Sequence, residues 1–366
     1  VKINTAFFAS RTISWYMARL FITRSAGVLA ALIIVLMALD LLGESGNILA
    51  YPGNGDAELW RYVSLRVPQL ISRFLPFSVL LGTLVTLVTM NQNSEIISMK
   101  AAGISAHQIL APLILASLAV AGLSFWFNDH VVARATATLT AWQDVDYGPV
   151  PVNRGSVSNV WVRSGEDLIH AGIVTGRGSR AVLRDVSVYD RQANRLRAIA
   201  TAPRAIQGDG GWVLQDVRVF DVASGHVTTR PRAVTARGVT PDRFTLASID
   251  ADGLSFRALY QAIADLRAAG RPTSSLETVL WHKVSGPLSS LLMPLLASIA
   301  GFGLARSGKM FIRAVAGMAL GFAYFVADSF ALAMGNIGAY PPLLAAWAPF
   351  LLFLLIGEAV LIRTEE

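Results

Sequence analysis

Apolar residues follow two rhythms along this chain. Six runs, Leu20–Leu42, Val67–Met90, Ile109–Phe127, Val284–Leu304, Ala314–Met334 and Pro342–Ile362, are each long enough to cross a bilayer as a helix, which takes about 20 residues. Between the third run and the fourth the pattern changes. From Val131 to Thr245 short apolar segments alternate with polar residues, as at Val182, Arg184, Val186 and Val188 and again across Val213–Phe220, with turn residues such as Gly208–Gly211 between them. Period-two alternation broken by frequent turns predicts antiparallel strands of a sandwich or roll folded in water. A transmembrane barrel is the weaker reading, because such barrels rarely share a chain with helical spans. Ser255–Ala269 returns to helical period, with Phe256, Leu259, Ile263 and Leu266 on one face and Gly270 and Pro272 as the stop.

The expected architecture is an α-helical integral membrane protein with six transmembrane helices, three on each side of an inserted β domain. Residues 1–130 hold the first three spans, 131–250 the β domain, 251–275 an amphipathic connecting helix and 276–366 the last three spans. Pro68 and Pro76 predict a kink or a staged start in the second span.

A short polar link, Asn91–His107, joins the second span to the third and must therefore lie at one membrane face. Within it Glu95, Ile96, Met99, Lys100 and Ala102 fall at helical spacings, and Gly103 suits a stop. A short helix held by a membrane helix at each end can transmit a push; it can equally do no more than join two helices.

Composition agrees with the patterning. Of 366 residues 54% are hydrophobic and 15% charged, and the mean hydropathy is +0.51, too apolar for a soluble domain of this size. Cysteine is absent, which removes disulfides, cysteine metal sites and thiol nucleophiles. The net charge of +7 could suggest nucleic acid, but no basic run is interleaved with aromatics, and basic residues at membrane surfaces explain the excess. The segment around Lys2, Arg11, Arg19 and Arg24 lacks the form of a cleavable signal peptide and reads as an amphipathic preface to the first span. Arg306, Lys309 and Arg313 make one short loop basic, whereas Gly335–Tyr340 has no basic residue. The bias predicts both termini, the Asn91–His107 link and the Arg306–Arg313 loop in the cytoplasm, with the β domain outside.

Candidate chemistry is sparse. Gly303–Lys309 matches the first seven positions of a phosphate-binding loop, but Met310 stands where Ser or Thr would hold Mg²⁺, and an apolar helix precedes it instead of a strand. It reads as a basic turn at the membrane surface, and any ATP used is hydrolysed by another chain. The five histidines, His107, His130, His170, His226 and His282, are scattered and form no H-E-x-x-H motif. No catalytic residue and no metal ligand set is assigned.

Ionisable residues near the membrane say more, since charge in hydrocarbon costs a few kcal/mol at least and marks a pathway or a partner. Asp328 lies in the fifth run and Glu358 near the inner end of the sixth. Arg61, Arg66, Arg73 and Lys283 fall near the outer leaflet, where they suit an anionic headgroup or act as snorkelling anchors. Gly317 and Gly321 form a small-xxx-small pair suited to close helix packing, including a subunit contact.

The stretch Asn93–Ser105, NSEIISMKAAGIS, closely resembles the link between the second and third spans in the LptF/LptG (YjgP/YjgQ) family of lipopolysaccharide export permeases. Trp281–Pro287, Tyr340–Pro349 and Asp328 between them are more similar to the LptG branch than to the LptF branch. The resemblance implies a six-span permease of the bacterial inner membrane carrying a periplasmic β-jellyroll. It also implies an LptF-like partner permease, an LptB-like ATPase dimer that uses ATP and Mg²⁺, and a periplasmic bridge of LptC/LptA type that receives the lipopolysaccharide. This chain itself would need no cofactor. Glu95, Met99, Lys100 and Gly103 would form the ATPase-coupling helix. Val28, Leu32, Val35 and Leu36 on the first helix, with Ala316, Leu320 and Tyr324 on the fifth, would line a lateral gate or cavity.

One departure from the family concerns the outer end of the first helix, where lysines are expected to meet lipid phosphates. Here Met37, Asp40, Gly43 and Glu44 stand thereabouts. Either Arg61, Arg66, Arg73 or Lys283 replaces those lysines, or the lipid carries another charge pattern. The rival functions are a permease for lipoprotein or another lipid or peptide cargo, a membrane-embedded lipid-modifying enzyme, and a structural scaffold.

Overall fold

The computed structural model describes residues 10–150, 157–175, 181–192, 195–208, 211–235, 239, 250–268, 272–301 and 310–363. The chain divides into two compact units: a helical unit of residues 1–140 with 251–366, and a unit of residues 141–250 that holds the sheet.

In the helical unit α1 spans Arg11–Ala50, α2 Asp56–Gln92 and α3 Glu95–Ala101. The fourth helix, α4, runs over Ala106–Gln143 through a π-helical turn at Asn128–Val132, and its last residues belong to the other unit. Then follow α5 (Phe256–Ala268), α6 (Ser274–Gly301), α7 (Met310–Asn336) and α8 (Pro342–Arg363). Pro68 and Pro76 both sit inside α2, which is assigned without a break. Helix α4 continues beyond residue 131, where the polar content of the sequence suggested the start of the β domain. Its alanine-rich stretch ARATATLTAWQ favours helix over strand.

Among the described residues five helices are long and apolar enough to cross a membrane: Arg11–Ala50, Asp56–Gln92, Ala106–Gln143, Ala314–Asn336 and Pro342–Ile362. The fourth of the six expected spans, Val284–Leu304, falls on α6 as far as residue 301, and its last three residues lie outside the described residues. Helix α6 packs against α2, α4, α7 and α8 and buries Ser285, Ser289, Ser290 and Ser298 together with Leu292, Met293 and Leu296. Ser289 and Ser298 donate to carbonyls within their own helix, at 2.5 Å to Gly286 and 2.6 Å to Leu295. A helix surrounded by other helices need not be apolar on every face.

The second unit carries one six-stranded antiparallel sheet in the order β1-β2-β3-β4-β5-β6. The strands are β1 Val157–Ser164, β2 Asp167–Thr175, β3 Val182–Gln192, β4 Arg195–Gly208, β5 Gly211–Asp221 and β6 Val227–Thr235. Neighbours in sequence are neighbours in space, so the described strands form a meander. The crossover pairing that a jellyroll requires is absent among them. Val160, Ala171, Val186 and Ala202 lie opposite one another across four strands and are all buried on one face.

Strict alternation across Val182, Arg184, Val186 and Val188 would put all four on one face, and β3 departs from it. Leu183 is buried before Asp185, and Val186 and Val188 after it. Asp185 adopts φ +51°, and the inward phase shifts by one residue there, as it does at Asp216 (φ +55°) between Leu214 and Val217 in β5. Short acidic side chains tolerate that left-handed backbone better than most residues. At the β5–β6 turn the Ser224 backbone N–H (2.8 Å) and hydroxyl (2.9 Å) both donate to Asp221, which holds its carboxyl below the usual range.

Candidate functional site

The link between α2 and α4 is built from short-range interactions. Ser94 turns the chain with φ +59°, and α3 begins at the next residue. At its far end the Gly103 N–H donates to the Lys100 carbonyl (3.0 Å) and the Ile104 N–H to that of Met99 (3.1 Å), with Gly103 at φ +82°. This pair of bonds is the Schellman stop that glycine favours, because a Cβ is strained at that φ. Ser105 then caps α4 reciprocally: its hydroxyl accepts from the Gln108 N–H while Gln108 Oε1 accepts from the Ser105 N–H, both at 3.2 Å. Gly103 is thus the stop expected from sequence, and the helix proper is confined to Glu95–Ala101.

The faces of α3 differ. Ile96 is buried in the main apolar cluster, with Met99 and Ile104 packed against that cluster. Ile97, Ser98 and Ala101 are exposed, and Glu95 and Lys100 are half-buried at the flanks. Met99 therefore faces inward, while Glu95 and Lys100 border the outward surface. The Glu95 carboxylate accepts from the Tyr16 hydroxyl of α1 at 3.3 and 3.4 Å and from Asn93 Nδ2 at 3.4 Å. Close by, the ring of His107 at the start of α4 lies 3.0 Å from the Glu358 carboxylate near the end of α8.

At the other end of α1 and α2 a polar clasp joins the two helices. Arg66 Nε and Nη2 each donate to the Asp40 carboxylate at 2.9 Å, Nη1 donates to Gln69 Oε1 at 2.8 Å, and the Tyr62 hydroxyl donates to Asp40 at 2.7 Å. Two parallel bonds from one guanidinium to one carboxylate form the strongest common side-chain pairing. Arg66 is therefore directed at protein oxygens. Arg61 and Arg73 are exposed on the same helix, and Lys283 is half-buried on α6. Sequence reasoning singled out Asp40 and Arg66 but did not pair them, and it missed Tyr62 and Gln69. The available signal was an aspartate at the end of an apolar run, which calls for a partner.

The residues expected at a gate diverge in exposure. Val28, Leu32 and Leu36 are half-buried and Val35 is exposed on α1. On α7 Ala316 is exposed and Leu320 packs against the core. Tyr324 is buried, with its ring edge-on to Phe353 at 5.5 Å. Gly317 and Gly321 face inward within this chain. A Cβ at Gly317 would meet Leu84 at 3.2 Å and the Leu296 carbonyl at 3.4 Å, and one at Gly321 would overlap Leu80. The small-xxx-small pair thus seats α7 closely on α2 and α6 of the same chain.

Asp328 on α7 has a partner on α6: its carboxylate lies 3.9 Å from His282 Nε2, and Ser285 Oγ lies 3.4 Å from His282 Nδ1. Among the described residues there is no cluster of three or more His, Asp or Glu side chains able to hold a metal ion. The phosphate-loop-like stretch 303–309, and with it the first half of the basic loop 306–313, lies outside the described residues.

Long apolar helices around a buried α6, an inserted antiparallel sheet and a rigidly capped link between two of the helices define a polytopic membrane protein. The chain belongs to the family described as lipopolysaccharide export system permease LptF/LptG, which it matches over residues 15–363. It is 26% identical to the lipopolysaccharide export system permease protein LptG of Escherichia coli (strain K12) over 310 residues, 82% of this chain and 84% of that protein. It is 25% identical to the protein of the same name from Haemophilus influenzae over 352 residues, 93% and 96% of the two chains.

Proposed function

We propose that this chain is a permease subunit of a lipopolysaccharide exporter in the bacterial inner membrane, with α3 as the element through which a separate ATPase drives it. The observation that carries the reading is the construction of α3. It is seven residues long, entered through the left-handed turn at Ser94, stopped at its C-terminal end by the Gly103 and Ile104 hydrogen bonds and anchored by Ile96, and it lies in a chain that matches the permease family over residues 15–363. A flexible loop would absorb a load; a short capped helix between two long ones passes it on.

In this reading α3 faces the cytoplasm and the sheet unit faces the periplasm. Glu95 and Lys100 meet an LptB-like ATPase dimer that binds ATP and Mg²⁺. An LptF-like permease completes the cavity, and a bridge of LptC/LptA type receives the lipid. Arg73, with Arg61 and Lys283, would hold the anionic headgroup, and Val28, Leu32, Val35 and Leu36 with Ala316 would line the route. The cargo reading is supported by relatives named for lipopolysaccharide export.

The test is a charge reversal. In a complex extracted with its ATPase and sister permease, Glu95→Arg is expected to abolish lipid-stimulated ATP hydrolysis or to release the ATPase. Unchanged assembly together with unchanged stimulated hydrolysis would overturn the coupling role of α3.

A further inference from the structure

Helix α1 is buried most deeply toward its two ends and only partly between them. Toward its N-terminal end Met17 and Phe21 are fully buried in the same apolar cluster as Met90, Ile96, Ala106 and Ile109, and the Tyr16 hydroxyl donates to Glu95 at 3.3 and 3.4 Å. One turn further the backbones of α1 and α2 nearly touch. A Cβ on Gly82 would come within 2.6 Å of Ser25 Cα, and Arg24 Nη1 donates to the Val85 carbonyl at 2.8 Å. None of residues 26–36 is buried. Full burial resumes at Met37, and the Asp40–Arg66 clasp and Ile48 follow.

These ties lead mainly to one body. The contacts at Ser25, Arg24 and Asp40 all go to α2. Only Asn93 and Ser94 separate the end of α2 from α3. Helices α1, α2 and α3 thus form a closed triangle whose third side joins α1 to α3 through the Tyr16–Glu95 bond and the apolar cluster shared by Met17, Phe21 and Ile96. Without that side, the two-residue turn at Asn93 and Ser94 is the part that can flex when α3 is loaded, because only Ile96 of α3 is fully buried.

We propose that Tyr16 is a positioning residue of the coupling link: its hydroxyl fixes the first turn of α3 against α1, so that a load on α3 moves α1 together with α2. The proposal rests on the reading of α3 as the ATPase-facing element. Tyr16 and Asn93, the donors to Glu95 named above, are neutral, so the hydrogen bonds aim the carboxylate without cancelling its charge for a cationic partner.

Tyr16→Phe isolates the hydroxyl, because the ring stays. In the complex with its ATPase and sister permease, assembly and ATP hydrolysis are expected to persist while lipid released per ATP falls roughly two- to tenfold, the range that one ordinary hydrogen bond supplies. Trp15→Phe, at an exposed neighbouring position, should transport as the parent does. A structural readout separates the tie from a general weakening. The chain has no cysteine, so spin labels at Gly27→Cys on α1 and Ala101→Cys on α3 report one distance. That distance is expected to be single-valued and unaffected by nucleotide in the parent, and to broaden in Tyr16→Phe. Transport per ATP equal to the parent in Tyr16→Phe, or an α1–α3 distance that changes with nucleotide in the parent, overturns the proposal. Because the label distance can be read in the isolated chain in nanodiscs, a failure of the ATPase reading, seen with Glu95→Arg, remains distinguishable from a failure of the tie.

Discussion

Three nitrogen atoms of Arg66 donate to protein oxygens, two to Asp40 and one to Gln69, and this decides what its removal does. Arg66→Met should leave Asp40 half-buried without its counter-charge and lower the stability of the solubilised chain by about 1–3 kcal/mol. The double variant Asp40→Leu, Arg66→Met should regain part of that loss, because it removes both partners of the pair. Arg73, exposed on the same helix, should behave oppositely, with Arg73→Ala leaving the melting temperature in place and lowering lipid-stimulated ATP hydrolysis. Melting curves and hydrolysis rates on the same preparations check both. The sequence marked all four outer cations as equivalent because hydrophobic periodicity locates a residue along its helix but not the neighbour it faces. The partnership of Asp40 with Arg66, like that of Asp328 with His282, depends on how two helices are rotated against each other, which no spacing within either one specifies. Gly317 and Gly321 show the same limit: the small face suited to close packing was legible, and the identity of the helices laid on it was not.

At the level of elements, local chemistry was the most readable. Gly103 suited a stop from its place after a helical spacing, and it occupies the left-handed position of the Schellman turn at φ +82°. Gly103→Val should therefore cost about 1–2 kcal/mol through backbone strain, and it should loosen the end of α3 that carries Lys100. Hydrogen exchange at the Gly103-position and Ile104 amides is the direct readout, since those N–H groups close the turn; faster exchange is expected, and unchanged protection would mean that the turn is fixed by Ile96 and Met99 alone. The strands were less legible than the helices. Alternation announced β3 and β5, but the phase shifts at Asp185 and Asp216 placed Leu183 and Leu214 on the buried face from positions that strict alternation assigns to the other side. A single left-handed residue changes the face of every residue after it, and a window count of alternating residues averages that change away. Helix α6 was located by its apolar run although its burial among four helices relaxes the need for apolar residues; Ser289 and Ser298 are tolerated because their hydroxyls bond within the helix.

For the whole molecule the two rhythms of the sequence correspond to two compact units, with the helical one assembled from segments on both sides of the sheet. Such an arrangement needs the first and last thirds of the chain to find each other, and α6 is the piece that joins them, since it packs on α2 and α4 as well as on α7 and α8. Placing the link and the sheet on opposite sides of the membrane follows from the arithmetic of crossings and from the distribution of Lys and Arg, and the absence of cysteine makes it directly testable. A single cysteine at Ala101 on the exposed side of α3 and another at Ser224 in the exposed β5–β6 turn introduce one reactive thiol each into a background of none. With a membrane-impermeant maleimide on intact spheroplasts, Ser224→Cys should label at once and Ala101→Cys only after the membrane is opened. The reverse order would put α3 on the periplasmic side, away from any cytoplasmic ATPase, and the proposed coupling through Glu95 and Tyr16 would have no motor to serve.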